Sequence, residues 1–267
     1  MKPQRTANVA WCGMLRKKNG YSLIGLEIVF IGIVAYLFMA IYGNLSHYRQ
    51  VRNRMLLLDT FCKAGGAGYG YHLAGFDVVG VDIEPQKNYP FPFIQSDAFE
   101  FIERYGHYFD VIHASPPCQS YSITKSLHKN KHPELVGKTR NALKSTGKPY
   151  IIENVPGAPL FDPVMLCGTM FGLKTIRHRL FECNPVAPYF TGLHCRHIGK
   201  ATGGKKAKGN NSLMDGFSLV TVVGHEFIVS EGRGALGIAW MTGKELSQAI
   251  PPAYTKWLGE WMIKELN

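Results

Sequence analysis

Residues 56–83 read LLLDTFCKAGGAGYGYHLAGFDVVGVDI, and this stretch decides the fold. A short apolar run ends on Asp59 and leads into a turn with glycines at 65, 66 and 68. A second apolar run, 77–83, follows about one helix later and again ends in acid, at Asp82. Two further runs of the same kind lie downstream, FDVIHAS (109–115) and PYIIENV (149–155). Polar or helical stretches separate them, among them Asp97–Tyr105 and Lys138–Thr146. Short apolar strands alternating with helix-length segments imply a parallel sheet wound in α/β fashion. Ligands in such sheets sit at the carboxyl ends of the strands. Asp59, Asp82, Ser115–Cys118 and Glu153–Asn154 all fall there, which marks a site.

After Cys183 the pattern becomes irregular, rich in Gly, Lys and His to about residue 216, and then returns as a β-like run, FSLVTVVGHEFIVS (217–230). The end of the chain spaces Tyr254, Trp257, Leu258, Trp261, Met262 and Leu266 at helical intervals, as a core-facing closing helix does. At the other end, residues 21–43 are apolar except for Glu27. As a helix they span about 34 Å, enough to cross a bilayer, so membrane contact through this segment is an open reading. A buried helix is the other. Basic residues flank both sides, so charge fixes no orientation.

Apolar residues make up 46% and aromatics 12% of the 267 residues, which excludes a disordered chain and leaves room for one full catalytic domain. The net charge of +11 is unevenly placed: residues 1–54 carry eight Lys/Arg against Glu27, hence +7, and the remainder only +4. Local clusters say more than the total. Seven Lys/Arg lie between Lys125 and Lys148 against Glu134 alone, and five lie between Arg196 and Lys208 with no acid. Each run suits either a solvated face or contacts to phosphate. The six cysteines form no Cys-x-x-Cys, which favours reduced thiols over a disulfide framework. His194, Cys195 and His197 are conceivable zinc ligands, but no second pair has metal spacing, and no metal is expected.

Five stretches then carry chemistry. The 56–83 stretch resembles the first two cofactor motifs of the DNA cytosine-5 methyltransferases. ASPPCQSYS (114–122) resembles that family's catalytic loop, with Pro117, Cys118 and Gln119 at its core. A cysteine after two prolines at a strand end is held extended and exposed, and a thiolate is a strong nucleophile near neutral pH. IIENVPGAP (151–159) matches the family's Glu-Asn-Val motif, and IRHRLFEC (176–183) its arginine motif. Arg177 and Arg179 alternate along a strand and so share a face. SQAIPPAYTKW (247–257) is similar to the last motif, which completes the cofactor pocket. The matches come in family order over about residues 55–267, with the compact spacing of short phage-type members. Two positions depart from the pattern. Lys63 stands where the family has glycine, and either crowds the cofactor or pairs with its carboxylate; Thr175 stands in place of a glutamine.

The resemblance implies a Rossmann-like S-adenosylmethionine-dependent methyltransferase sheet with a small target-recognition region, here with an extra N-terminal hydrophobic helix. It divides the chain into an extension (1–54), a catalytic and cofactor-binding domain (55–184), a target-recognition region (185–235) and a C-terminal return (236–267). It further implies methyl transfer from S-adenosyl-L-methionine to carbon 5 of a cytosine rotated out of duplex DNA, as base-modifying enzymes must do. Cys118 would attack carbon 6, with Glu153 on the N3 side, Arg179 on the O2 side and Arg177 beside them. Phe61, Gly65, Gly66, Asp82, Ile83, Asp97, Pro117, Gln248 and Ala249 would form the cofactor site, Asp82 holding ribose and Asp97 the adenine amino group. The expected setting is a monomer in a prokaryotic or phage-infected cytoplasm, in a restriction-modification context, membrane-anchored only if 21–43 serves as an anchor. The competing readings are a DNA-binding relic disabled by Lys63 and a membrane protein defined by its N-terminal segment.

Overall fold

The computed structural model describes residues 54–121, 134–187, 194–197, 201–202, 219–224 and 227–267. The 21–43 segment lies outside them, as does the first part, 125–133, of the Lys/Arg run that follows the catalytic loop. Among the described residues no helix is long and apolar enough to cross a membrane.

Seven strands form one sheet: β1 (Leu56–Thr60), β2 (Asp77–Asp82), β3 (Phe93–Gln95), β4 (Val111–Ala114), β5 (Tyr150–Asn154), β6 (Val164–Leu166) and β7 (Arg179–Asn184). Their order is β3-β2-β1-β4-β5-β7-β6, parallel except for β7, which runs antiparallel to both its neighbours. The four sequence-expected strands are the four at its centre. β1, β4 and β5 are buried at every position, as strands covered on both faces must be, which is why they read as unbroken apolar runs.

The helices are α1 (Gly66–Ala74), α2 (Ala98–Tyr105), α3 (Val136–Ser145), α4 (Val229–Leu236), α5 (Gly243–Gln248) and α6 (Pro252–Leu266). Asp97 caps α2, its Oδ1 accepting from the Phe99 and Glu100 amides at 2.8 and 3.1 Å, and Thr242 and Glu245 form a reciprocal capping box on α5. The closing helix α6 is core-facing as expected: Tyr254, Leu258 and Met262 are fully buried and Trp257 and Trp261 pack against the same core. It lies against α1 closely enough that a Cβ on Gly70 would meet Thr255 Oγ1 at 2.0 Å. Thr255 Oγ1 also donates to the Ala67 carbonyl at 2.8 Å.

The region after β7 differs from its sequence reading. Among the described residues of the β-like run 217–230, only Leu219–Val220 (β9) is strand, pairing in parallel with Ala201–Thr202 (β8), and Val229 already begins α4. The apolar residues there build a second small core instead. Val222, Phe227, Ala235, Leu236, Ile238, Met241 and Leu246 surround Ala64 of the glycine-rich turn. α4 thus runs across the 235/236 line drawn between recognition region and C-terminal return.

Candidate active site

β1 has β2 on one side and β4 on the other, so the chain leaves the sheet centre in opposite directions on either side of the β1–β4 pair. The crevice beyond the carboxyl ends of such a pair is where doubly wound sheets bind ligands. It is flanked by the turn after Thr60 and the loop after Ala114, joined where the Ser115 amide donates to the Thr60 carbonyl at 3.2 Å.

On the β4–β5–β7 side the expected catalytic residues come together. Glu153 lies near the end of β5, 6% exposed, and pairs with Arg179 at the start of antiparallel β7, Nε to Oε1 2.9 Å. Cys118 is close enough for these charges to act on its thiol. Burial and then the Glu153 carboxylate push the thiol up, against the pull of Arg179 and Arg177. Burial likewise raises Glu153, opposed by Arg179, a Ser115 hydrogen bond and Arg177. A carboxyl raised in this way can carry a proton to a bound base. Asn154, fully buried, donates Nδ2 to the Pro116 carbonyl at 3.1 Å and so fixes the catalytic loop to β5. Pro117 lies in that loop, partly exposed, and the buried Oε1 of Gln119 has no partner among the described residues.

Arg177 and Arg179 divide their tasks. The Arg177 guanidinium is buried and donates to the Val222 and Ser247 carbonyls, both at 2.8 Å, while its own carbonyl accepts from Tyr254 at 2.6 Å. Burial, with Arg179 beside it, lowers its pKa to about 9, and it remains charged at neutral pH. It clasps the second core and the last motif to the segment that enters β7, whereas Arg179 pairs with Glu153. A residue that the sequence reading passed over stands behind Glu153. His113 in β4 is fully buried, its Nδ1 2.9 Å from Tyr71 Oη and its Nε2 2.8 Å from Ser115 Oγ. Burial drives its pKa down to about 3, so it is neutral and positions Ser115 toward Glu153. A histidine inside an apolar strand was the available signal.

On the β1–β2 side, Asp82 ends β2 and accepts the Lys63 amide on Oδ2 and the Glu84 amide on Oδ1, both at 3.0 Å. Each carboxylate oxygen has a second lone pair, so the group can still accept two hydroxyls. Ile83 is 65% exposed beside it, and Phe61 meets Phe99 edge-on at 5.7 Å, apolar surfaces of the kind a flat heterocycle covers. Gly65 caps α1 at φ +82°, and a Cβ on Gly66 would strike the Ile250 carbonyl at 2.5 Å, so these glycines also admit the C-terminal motif. Ala249 is buried in the second core and Gln248 exposed at the end of α5. Lys63 sits at φ +45°, where glycine is at home, and its ammonium turns to Glu84 (3.0 Å) and Asp82 (3.6 Å). Its partners are therefore side chains of the protein itself. Asp59, wholly buried at the β1 end, accepts from Tyr89 at 3.1 Å while its Oδ1 has no partner among the described residues, and burial raises its pKa to about 8. The acceptors and apolar surfaces suit a nucleoside cofactor.

Sheet order and crevice define a doubly wound, Rossmann-like α/β protein. No protein-family model matches the chain, and no curated protein does. Solved structures do. One described as a DNA modification methyltransferase encoded within a prophage (E. coli) is similar at TM-score 0.53 and 14% identity, covering 80% of this chain and 99% of that one. The Dnmt2 methyltransferase of S. pombe is similar at TM-score 0.51 and 14% identity, covering 80% and 100%. The fold is that of these methyltransferases.

Proposed function

We propose that the chain methylates carbon 5 of cytosine in duplex DNA through a covalent adduct with Cys118. The observation that carries this reading is the Glu153–Arg179 pair at the strand ends, with the Cys118 loop fastened to the same strand through the Asn154–Pro116 hydrogen bond. Methyl transfer to an oxygen or an exocyclic amine needs no cysteine beside a carboxyl that can be protonated. Attack on carbon 6 of a pyrimidine needs both, because the ring must accept negative charge as the C–S bond forms. Cys118 gives up its proton to solvent and its thiolate adds to carbon 6, and protonated Glu153 donates its proton to N3. Arg179 holds Glu153 and the O2 side of the base. After methylation, removal of the carbon-5 proton expels Cys118 and restores the aromatic ring. Asp82, Ile83, Phe61 and the turn at Gly65–Gly66 would hold S-adenosyl-L-methionine, which when bound supplies an electrophilic methyl group. Gln248, Ala249 and Asp97 would complete that site, Asp97 toward the adenine amino group.

Bisulfite sequencing of DNA from cells expressing the chain tests the reading. Protected cytosines at a recurring sequence, absent with Cys118→Ser, are expected. Methylation found only on adenine, or undiminished with Cys118→Ser, would overturn it.

A further inference from the structure

Four side chains outside the strand-end crevice converge on one point. Cys167 precedes the short 3-10 turn Gly168–Phe171, His178 stands between the two arginines, and Cys195 and His197 lie on the segment 194–197. One ligand atom from each lies within 4.8 Å of the others. His178 Nε2 is 3.2 Å from His197 Nε2, Cys195 Sγ is 3.6 Å from His178 Nε2, and Cys167 Sγ is 3.6 Å from His197 Nε2. A tetrahedron with Zn–S of about 2.3 Å and Zn–N of about 2.05 Å has N–N edges of about 3.3 Å and N–S edges of about 3.6 Å. The observed separations agree with those edges to about 0.1 Å. Hydrogen bonding alone explains the arrangement poorly. Two imidazole Nε2 atoms aimed at each other can share only one proton, and a thiol at 3.6 Å is a weak partner to either.

We infer that Cys167, His178, Cys195 and His197 bind a zinc ion in a closed structural site. Two thiolates and two neutral imidazoles neutralise Zn²⁺, and four protein ligands leave no open position for a reacting water. The mixed sulfur and nitrogen donors select zinc over hard cations. Binding releases the two thiol protons to solvent. Thr169 supplies a supporting contact: its Oγ1 is 3.3 Å from Cys167 Sγ and accepts the Arg196 amide at 3.1 Å. His194, which local spacing groups with Cys195 and His197, is exposed and outside the cluster. The site ties the 194–197 segment to the start of β7, where His178 adjoins Arg179. The ion thus fixes where the residues following the catalytic strand leave the sheet. The inference rests on this cluster alone and stands whether or not the chain methylates cytosine.

The test is elemental analysis of the full-length chain purified without chelators. About one zinc per chain is expected, retained in His194→Ala and reduced at least about fivefold in Cys195→Ser and His197→Ala. A second measurement needs no variant: the reduced, metal-free wild-type chain titrated with Co²⁺ should develop the visible bands of a tetrahedral thiolate site at one equivalent. Three results would each overturn the inference. They are zinc-free wild type that gives no such bands, zinc content indifferent to Cys195→Ser and His197→Ala, or a Cys167–Cys195 disulfide in freshly purified protein.

Discussion

The two halves of the crevice are built on different principles. On the β4–β5–β7 side each reactive group is held by a buried partner: Glu153 by Arg179 and Ser115, Ser115 by His113, and the Cys118 loop by Asn154. On the β1–β2 side the acids outnumber their partners. Asp59 is buried with one oxygen that has no partner among the described residues, and Asp82 and Glu84 share one half-exposed lysine that stands in a conformation glycine prefers. The first half is organised before any ligand arrives; the second holds a surplus of acceptors. An enzyme pre-arranges the groups that meet developing charge, because reorganising them in the transition state is costly.

The sharpest way to break this contrast is at Cys118. Cys118→Ser should reduce methyl transfer to below about 1% of wild type while cofactor affinity stays within about twofold, measured by single-turnover assay and calorimetry. A parallel loss of cofactor binding would mean that the two halves are not separate. Next, Glu153→Gln keeps the shape of the side chain but removes the charge and the transferable proton. A fall of about 10²–10⁴ in single-turnover rate is expected. A rate within about threefold of wild type would remove Glu153 from the chemistry.

The acid surplus is tested by pH. Asp59 has a folded pKa near 8 against an unfolded value near 4, so folding disfavours its ionised form. Its protonation linkage therefore lowers stability as pH rises from about 4 to about 8, by up to roughly 1.4 kcal/mol per pH unit, and flattens above. Asp59→Asn, which mimics the protonated acid, should melt progressively higher than wild type across that window. Parallel melting curves would show that Asp59 is not buried uncharged. The smallest effect is at Lys63. Lys63→Gly relieves a left-handed backbone at a non-glycine residue and should stabilise the fold by about 0.5–1 kcal/mol. It should also raise affinity for S-adenosylhomocysteine severalfold by removing the ammonium from Asp82 and Glu84. Weaker binding in the glycine variant would show instead that the lysine assists.

Much of this was legible in the sequence, and for a physical reason. Buried parallel strands are largely apolar, so β1, β2, β4 and β5 announce themselves, and the acids near their ends point to the strand-end crevice. Cys118 stands out because two prolines forbid it an ordinary core position. The pairing of Glu153 with Arg179 was hidden, because β7 returns antiparallel and its register is a tertiary property. The second core was misread as strand because Val222 and Phe227 stand in an apolar, β-like run, although neither lies in a strand. Only half of the Cys/His cluster was legible, because Cys195 and His197 stand close together in the sequence. Cys167 and His178 come from different elements, and the ligands span 30 residues with no local repeat. Arg140 was read only as one charge in a basic run. Its bidentate hold on Glu182, both contacts buried, fastens α3 to β7 and shows that a charge run can contain a core residue.

The bond from Thr255 to the Ala67 carbonyl sets the order in which the molecule can be completed. The glycine-rich turn is among the first parts of the sheet to leave the ribosome, yet the helix that braces it is the last, 188 residues later. At about 5–20 residues per second the turn waits roughly 10–40 s for its brace. During that interval Gly66 and Gly70 present the surface against which Ile250, Pro252 and Thr255 will later pack. A chain cut short before Pro252 would carry Cys118, Glu153 and Arg179, and lack the support beneath its cofactor turn.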